Sequence, residues 1–292
     1  MNKGKVKVIL IVTFIIGLFV LLYPSVSQYI NSFNQSVAIT DYDKLFLNNK
    51  DVDYTEDFNK AYNYNAELAK LRYPLAQYEK LSGYDELINV NDSGMMGYIS
   101  INKIKVEIPI YHTTDKDVLN VAVGHLEGSS LPVGGKGSHS VLSAHRGLPS
   151  AKLFTDLNKI EIGDLFEITV LDKKLTYQVD QIRVVEPNDV TELRINENED
   201  YVTLMTCTPY GINSHRLLVR GTRIENISDK KIYVTTEAFK INNLIVAPIV
   251  ASPILIVLLL IVAFKPVEKK ISVEDYLTQY IKFGGNKNEK IN

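Results

Sequence analysis

The sequence predicts an all-β fold, a closed barrel or sandwich of seven or eight short strands, with a helical region before it. Two observations predict this fold. Short runs of alternating residues recur between polar turns from Met95 to Arg223, which is typical of barrels and sandwiches. The preceding stretch, from Asn31 to Asn91, is polar, tyrosine-rich and has apolar positions at helical spacing.

The individual strands follow from the alternation of apolar and polar residues. The predicted strands are Gly97–Ile101, Val106–Tyr111, Ser140–Ser143, Leu165–Leu171, Lys174–Glu186, Tyr201–Thr206 and His215–Arg223. Leu153–Leu157 and Val190–Leu193 have the composition of short helical turns.

Two apolar segments frame the predicted strands. Leu244–Phe264 has 21 residues without a charge, which is long enough to span a bilayer. Val8–Tyr23 is also uncharged, and its length suits either a signal peptide, with cleavage near residue 28, or a membrane anchor. We favour the anchor, so the sequence predicts one or two transmembrane helices.

Lysines predict the orientation of these segments. Lys3, Lys5 and Lys7 precede the first segment, and further lysines, beginning at Lys265, follow the second. Positive flanks stay in the cytoplasm, so the region between the segments is expected outside the cell and the tail in the cytoplasm. The predicted organisation is a membrane segment at 1–23, an extracellular helical region at 24–93, a barrel domain at 94–226, a linker at 227–243, a transmembrane helix at 244–264 and a cytoplasmic tail at 265–292.

Composition excludes several classes of function. The net charge of −2 and the pI near 6.2 give no general attraction to nucleic acid. The histidines have no carboxylate or thiol partners at metal-ligand spacing, so we expect neither a metal nor a cofactor. The single cysteine, Cys207, rules out a disulfide within the chain, and an unpaired thiol outside the cell suggests a reactive one.

Cys207 lies where a predicted strand meets a turn-rich loop. The runs on either side, within Tyr201–Arg223, are typical of a β-hairpin. Alternation puts Arg216 and Arg220 on one face of the second strand, so a guanidinium is within reach of the thiol and would favour the thiolate. A buried structural cysteine is the alternative, and the residues alone do not choose between the two arginines.

His145 repeats the placement of Cys207, at the end of an apolar run before a loop. A cysteine and a histidine that are distant in sequence are the usual constituents of a Cys–His nucleophile pair. The other histidines at His112, His125 and His139 are expected to be structural or on the surface.

The segments LSAHRGLPSAKLFTDL and TLMTCTPYGINSHRLLVRGTR resemble the active-site motifs of the sortases, in particular the pilin-polymerising branch called class C. The resemblance runs from about Met95 to Arg223. It implies an eight-stranded sortase barrel, with Cys207 as nucleophile, His145 as general acid and base, and Arg216, rather than Arg220, as the residue that stabilises the oxyanion or the substrate.

The resemblance also implies the reaction and its partners. A sortase of this branch cleaves a Leu-Pro-x-Thr-Gly-like sorting signal between Thr and Gly, holds the acyl group as a thioester and passes it to a pilin lysine. The expected partners are therefore pilin or surface proteins that carry C-terminal sorting signals, an amine acceptor on a pilin or on the cell wall, and the membrane. A housekeeping sortase that anchors proteins to cell-wall precursors, and a non-catalytic peptide-binding membrane protein, are the alternatives.

The same branch carries a lid over its active site. The matching position here is Tyr73-Pro74-Leu75, which interrupts a helix-leaning stretch because the residue before a proline avoids the helical region. The family lid bears an aspartate before the proline, and this chain does not. The lid is therefore expected to hold by apolar contact.

Overall fold

The computed structural model describes residues 3–48, 52–89, 92–226, 251–257, 259–261, 273 and 277–278. The described residues separate into two compact units. One contains residues 3–22 together with the described residues after 250, and the other contains the described residues from 23 to 226. The predicted linker at 227–243, and most of the predicted second transmembrane helix and tail, lie outside the described residues; residues 251–257 and 259–261 are helical.

Four α-helices precede or interrupt the strands. They are α1 (Lys3–Asn48), α2 (Thr55–Ala69), α3 (Pro74–Gln77) and α4 (Lys116–Leu119). Helix α1 continues through Pro24, at a point where a proline removes one backbone hydrogen bond. It is the one helix among the described residues that is long and apolar enough to cross a membrane. The anchor at residues 1–23 and the other predicted domain boundaries stay predictions.

Eight strands form a closed barrel, so the predicted fold class is confirmed. The strands are β1 (Met95–Ile101), β2 (Val106–Tyr111), β3 (Val123–His125), β4 (Ser138–Ser143), β5 (Leu165–Val170), β6 (Lys173–Val185), β7 (Asp200–Thr208) and β8 (His215–Ile224). Their order around the barrel is β1-β2-β3-β4-β7-β8-β6-β5, and β1 closes the barrel by pairing with β5. Strand β3 is absent from the sequence-based list because three residues are too few to show alternation.

Alternation along β7 divides its apolar side chains between two clusters. Val202 and Leu204 of β7 belong to the main core, which also receives Phe58 and Leu68 of α2. Met205, on the opposite face of β7, packs against a second cluster made by Val141, Leu193 and Leu218. Successive side chains point to opposite faces of a strand. One face of β7 therefore carries core residues, and the opposite face carries Met205 and Cys207.

Candidate active site

Cys207 lies one residue before the end of β7, directly opposite Arg216 of β8. Strands β7 and β8 are antiparallel, and the pairing continues to Thr208 and His215. Residues directly opposite each other in an antiparallel pair project to the same face, so the thiol and the guanidinium start from one face of the hairpin. The thiol is free and half-buried.

His145 follows the end of β4, which runs parallel to β7 with Ser143 in register with Met205. Two hydrogen bonds extend that register past the end of β4. The Ala144 N–H donates to the Met205 carbonyl oxygen at 3.1 Å, and the Thr206 hydroxyl donates to the Ala144 carbonyl oxygen at 2.7 Å. The same register, carried past the end of β4, places His145 beside Cys207.

Beyond this pair, a further contact keeps the two strand ends together. The guanidinium of Arg146 donates to the Thr208 hydroxyl at 3.2 Å through Nη1 and to the Thr155 carbonyl oxygen at 3.3 Å through Nε. The loop after His145 closes on itself, since the Phe154 N–H donates to the His145 carbonyl oxygen at 3.2 Å. The backbone on both sides of His145 and Cys207 is thus fixed by hydrogen bonds.

Burial lowers the pKa of His145 below the ordinary histidine value. The ring is half-buried, and in the part of the chain that the structure describes no carboxylate contacts it. A neutral imidazole at neutral pH has one nitrogen that accepts a proton and one that donates. It is therefore in the form that takes a proton from a thiol.

The two candidate arginines differ in their contacts. Arg220 donates to both oxygens of Asp180, at 3.0 and 2.8 Å, and its guanidinium lies 4.2 Å above the ring of Tyr201. Arg216 forms no ion pair with any described residue, and its Nη1 makes only long contacts, at 3.4 and 3.3 Å, to the carbonyl oxygens of Asn213 and His215. The guanidinium of Arg220 is held by Asp180 and Tyr201, whereas the guanidinium of Arg216 has N–H donors available on the face that bears the thiol.

The lid turn, which we define as Arg72–Leu75, lies against the barrel through its last two residues. Leu75 packs against the second apolar cluster, the one that Met205 also contacts. Gly128, in the loop between β3 and β4, lies directly under the turn: a Cβ there would be 2.6 Å from Leu75 Cα and 2.9 Å from the Pro74 carbonyl oxygen. Such distances are far inside van der Waals contact, so only glycine permits this approach.

Tyr73 does not take part in that packing. Its side chain is 55% exposed, and its ring lies beside the guanidinium of Arg72, 5.3 Å from the ring centroid. The structure therefore brings Leu75, but not the aromatic residue, onto the face of β7 that bears Cys207.

Both ends of the lid segment are anchored to the barrel. Before the turn, Asn65 of α2 exchanges two hydrogen bonds with the backbone of Leu131, at 3.1 and 2.7 Å. After it, the Tyr84 hydroxyl bonds Nδ1 of the buried His125 at 2.8 Å and accepts from the Thr113 N–H at 3.2 Å. The turn therefore lies between two segments that hydrogen bonds attach to the barrel.

His112, His125 and His139 are buried and hydrogen-bonded. His125 donates from Nε2 to the Ser130 carbonyl oxygen at 2.8 Å, and His139 bonds the Thr203 hydroxyl at 2.7 Å. Burial lowers the pKa of both rings to about 4, so they stay neutral at neutral pH. Among the described residues, no group of three or more His, Cys, Asp or Glu side chains is arranged to hold a metal.

Sequence reasoning missed several residues that shape the site. The sequence alone gives no role to Arg146, yet this residue joins the ends of β4 and β7 through its hydrogen bond to Thr208. Gly147 was also overlooked: a Cβ there would be 2.5 Å from the ring of Tyr210, which covers it. The available signal was Gly147 itself, a glycine two residues after the candidate histidine.

A barrel with a cysteine, a histidine and an arginine gathered at adjacent strand ends has the architecture of a cysteine-dependent acyl transferase. A family model described as Sortase domain matches residues 99–224. Sortase C1 from Streptococcus agalactiae is 46% identical, with a TM-score of 0.60, and the match covers 65% of this chain and 98% of that one. Sortase C from Streptococcus pneumoniae is 44% identical, with a TM-score of 0.55, over 64% of this chain and 96% of that one. The chain belongs to the sortase family, and these solved structures are class C sortases.

A curated relative is more distant. Sortase D of Bacillus subtilis is 28% identical over 131 residues, which is 44% of this chain and 63% of the relative. This chain therefore matches less than two thirds of that protein's length. The family is one of cysteine transpeptidases.

Proposed function

We propose that this chain is a membrane-anchored cysteine transpeptidase that cleaves a Leu-Pro-x-Thr-Gly-like sorting signal between Thr and Gly and transfers the acyl group to a pilin lysine. The observation that carries the proposal is the register of the site. His145 lies two residues after the end of β4, Cys207 lies one residue before the end of the parallel strand β7, and Arg216 stands opposite Cys207 on β8.

The first half-reaction uses all three side chains. As the Cys207 sulfur attacks the threonine carbonyl carbon, neutral His145 takes the thiol proton. Arg216 donates hydrogen bonds to the oxygen that becomes negatively charged, and its charge does not depend on pH in the working range. His145 then returns the proton to the glycine nitrogen, the C–N bond breaks and a thioester remains on Cys207.

The second half-reaction reverses these steps with a new amine. The incoming lysine amine attacks the thioester carbonyl and gives a proton to His145, and Arg216 again stabilises the oxyanion. The C–S bond then breaks, the new amide is left, and His145 returns its proton to the Cys207 sulfur, which restores the starting enzyme. Water attacking in place of the amine would give hydrolysis, so transfer requires that the thioester be sheltered from water.

The lid turn supplies that shelter in this proposal. Leu75 packs on the second apolar cluster of the barrel, and Gly128 allows the turn to approach the barrel closely. Tyr73-Pro74-Leu75 has no carboxylate that could pair with Arg216, so closure rests on apolar contact and backbone fit. A sorting signal would displace Leu75 from the cluster.

Membrane attachment and the pilin substrate are part of the same proposal. The apolar N-terminal portion of α1 supports anchoring, and the lysines at its start support a cytoplasmic N-terminus with the barrel outside the cell. The cytoplasmic tail at 265–292 rests on the lysines that follow residue 264. The pilin acceptor is supported by the similarity to the Streptococcus pneumoniae enzyme, whose structure was described in terms of pilin substrate specificity.

The acyl acceptor is the test that separates the candidate functions. Membranes containing the full-length chain are incubated with a Leu-Pro-x-Thr-Gly peptide, a pilin with its lysines intact and a cell-wall precursor amine, and the products are identified by mass spectrometry. Joining to a pilin lysine supports the proposal, and joining to the precursor supports a housekeeping sortase. Peptide binding without cleavage, unchanged in Cys207→Ala, would indicate a binding protein.

A further inference from the structure

Helix α1 has two contrasting faces beyond its apolar N-terminal run. One face is fixed to the barrel by side-chain hydrogen bonds and by buried residues. Gln28 donates to the Pro149 carbonyl oxygen at 3.2 Å, Asn31 to the Ser150 carbonyl oxygen at 2.8 Å and Gln35 to the Val121 carbonyl oxygen at 2.6 Å. Further along this face Ile39 and Tyr42 are buried. These contacts determine which residues face away from the barrel.

The opposite face carries an exposed apolar stripe. Its members, which we call the outer stripe, recur at helical spacing and are Val26 (52% exposed), Tyr29 (66%), Ile30 (50%), Phe33 (59%) and Val37 (42%). A helix face with this spacing is normally buried against something. The barrel cannot cover it, because the helix is fixed through its other face.

The sequence around the outer stripe indicates a lipid environment. No charged residue lies between Lys7 and Asp41, so the stripe continues the uncharged stretch that begins with the apolar run. Beyond Val37 the same face becomes polar within one turn, with Asp41 and Lys44 forming an exposed ion pair at 2.8 Å. Tyr29 lies on this face between the apolar run and the charged residues, and tyrosine is enriched at the membrane–water interface.

We propose that the outer stripe lies in the headgroup region of the bilayer, with the barrel on the far side of the helix. This inference rests on the membrane anchoring proposed above. A second copy of this chain is the competing occupant, but helices that pair in water carry charged residues beside their apolar seam. The residues flanking this stripe are uncharged, namely Ser27, Ser32, Asn34 and Ser36.

The placement has a consequence for catalysis. Gln28 and Asn31, on the barrel side of the same turns, bond the backbone of Pro149 and Ser150, and these residues belong to the loop that follows His145. The histidine side of the site is thereby held at the lipid surface. A substrate whose sorting signal is followed by its own membrane segment would present its scissile bond at that height.

Tryptophan fluorescence tests the proposal directly, because the chain contains no tryptophan. The full-length chain is reconstituted in anionic vesicles, with lipids brominated either near the headgroups or deep in the acyl chains. Phe33→Trp reports on the outer stripe. Lys44→Trp, on the same face beyond the stripe, is the matched control, and Phe19→Trp in the apolar run reports whether the chain is anchored at all.

The proposal predicts that Phe33→Trp has a blue-shifted emission, which shallow brominated lipid quenches and aqueous acrylamide does not. The emission of Lys44→Trp should not be blue-shifted, and acrylamide rather than brominated lipid should quench it. Phe33→Trp that is quenched by acrylamide and not by bromine would overturn it. A blue shift without bromine quenching, accompanied by crosslinking between copies, would assign the stripe to a dimer and overturn it as well. If Phe19→Trp is not quenched by deep bromines, the proposed anchoring itself fails, and the inference fails with it.

Discussion

Cys207 and Arg216 stand directly opposite each other on β7 and β8, and Arg220, four residues further along β8, is opposite Thr203. The two arginines therefore share a face, but only one is level with the thiol. Arg220 is held by Asp180 and Tyr201, so its guanidinium is not free to reach a substrate. Position in the register and the ion-pair partners together separate the two roles.

Replacing each arginine by alanine should give opposite results. Arg216→Ala should abolish most transpeptidation with little change in stability, because its long contacts to Asn213 and His215 stabilise little. Arg220→Ala should lower the free energy of unfolding by about 1–2 kcal/mol, since it loses a bidentate ion pair and a cation–π contact, and should keep activity at temperatures where it is folded. Denaturant titration and peptide-joining assays measure both; an active Arg216→Ala enzyme would show that the assignment is wrong.

Leu75 should control access to the thiol, and Tyr73 should not. Leu75→Ala removes apolar packing worth about 1–2 kcal/mol, equivalent to a five- to thirty-fold change in the open population. Alkylation of Cys207 by a small thiol reagent should accelerate by a similar factor, and hydrolysis should rise relative to transfer. Tyr73→Ala is the matched control, because that side chain is exposed. Equal alkylation rates for wild type and Leu75→Ala would exclude the lid turn as the cover of the site.

Gly128→Ala should open the lid from the opposite side. An added Cβ would meet the Leu75 backbone, and the positive φ of +81° adds strain of about 1–2 kcal/mol. Gly163→Ala separates the two effects, because its φ of +93° imposes comparable strain while its Cβ meets nothing within 4 Å. Faster alkylation of Cys207 in Gly128→Ala alone is the expected result. The same acceleration in both variants would attribute the change to general destabilisation.

Stability should fall as the pH decreases from about 6.5 towards 4. In that window His125 and His139 stay neutral in the folded chain, because burial lowers their pKa to about 4, but they bind protons when the chain unfolds. Acid therefore favours unfolding, by on the order of 2 kcal/mol for each histidine between pH 7 and pH 5. The carboxyl of Asp200 acts in the opposite sense, because burial raises its pKa. A comparison of variants isolates the contribution of one histidine.

The variant for that comparison is His139→Asn. Its amide can still donate to the Arg194 carbonyl oxygen that His139 Nδ1 contacts at 2.9 Å, but it does not titrate. Denaturant unfolding from pH 7 to pH 5 should show a smaller loss of stability than in wild type or in His215→Asn, where the histidine is exposed. An unchanged slope, or proton uptake by His139 above pH 6 in an NMR titration, would contradict the explanation.

The sequence predicts the strands well where alternation is long. Strand β2 begins and ends at the predicted residues, and the alternation around Cys207 correctly places Arg216 and Arg220 on one face. Alternation cannot predict which arginine forms an ion pair, because the pairing of β6 with β8 brings Asp180 to Arg220. The sequence also does not predict strand β3 or the approach of Gly128 to Leu75, since both depend on contacts between distant segments.

The parallel pairing of β4 with β7 is the other relationship that the sequence does not contain. The similar placement of His145 and Cys207, together with the family resemblance, predicts that the two residues act together. Their register, with Thr206 bonded to Ala144, follows from closure of the barrel. The turn at Tyr73-Pro74-Leu75 is an example of the reverse, because the sequence alone shows that it has no carboxylate, and its role as a lid stays a prediction.

The most direct test of the account is intact-mass measurement of the full-length chain after brief exposure to a Leu-Pro-x-Thr-Gly peptide, followed by addition of a lysine amine. We expect a mass increase equal to the acyl fragment, located on Cys207 and lost when the amine is added, with the joined peptide released. Cys207→Ala should show no adduct, and His145→Ala should form it far more slowly. An adduct on another residue, or a joined product from Cys207→Ala, would contradict the central claim.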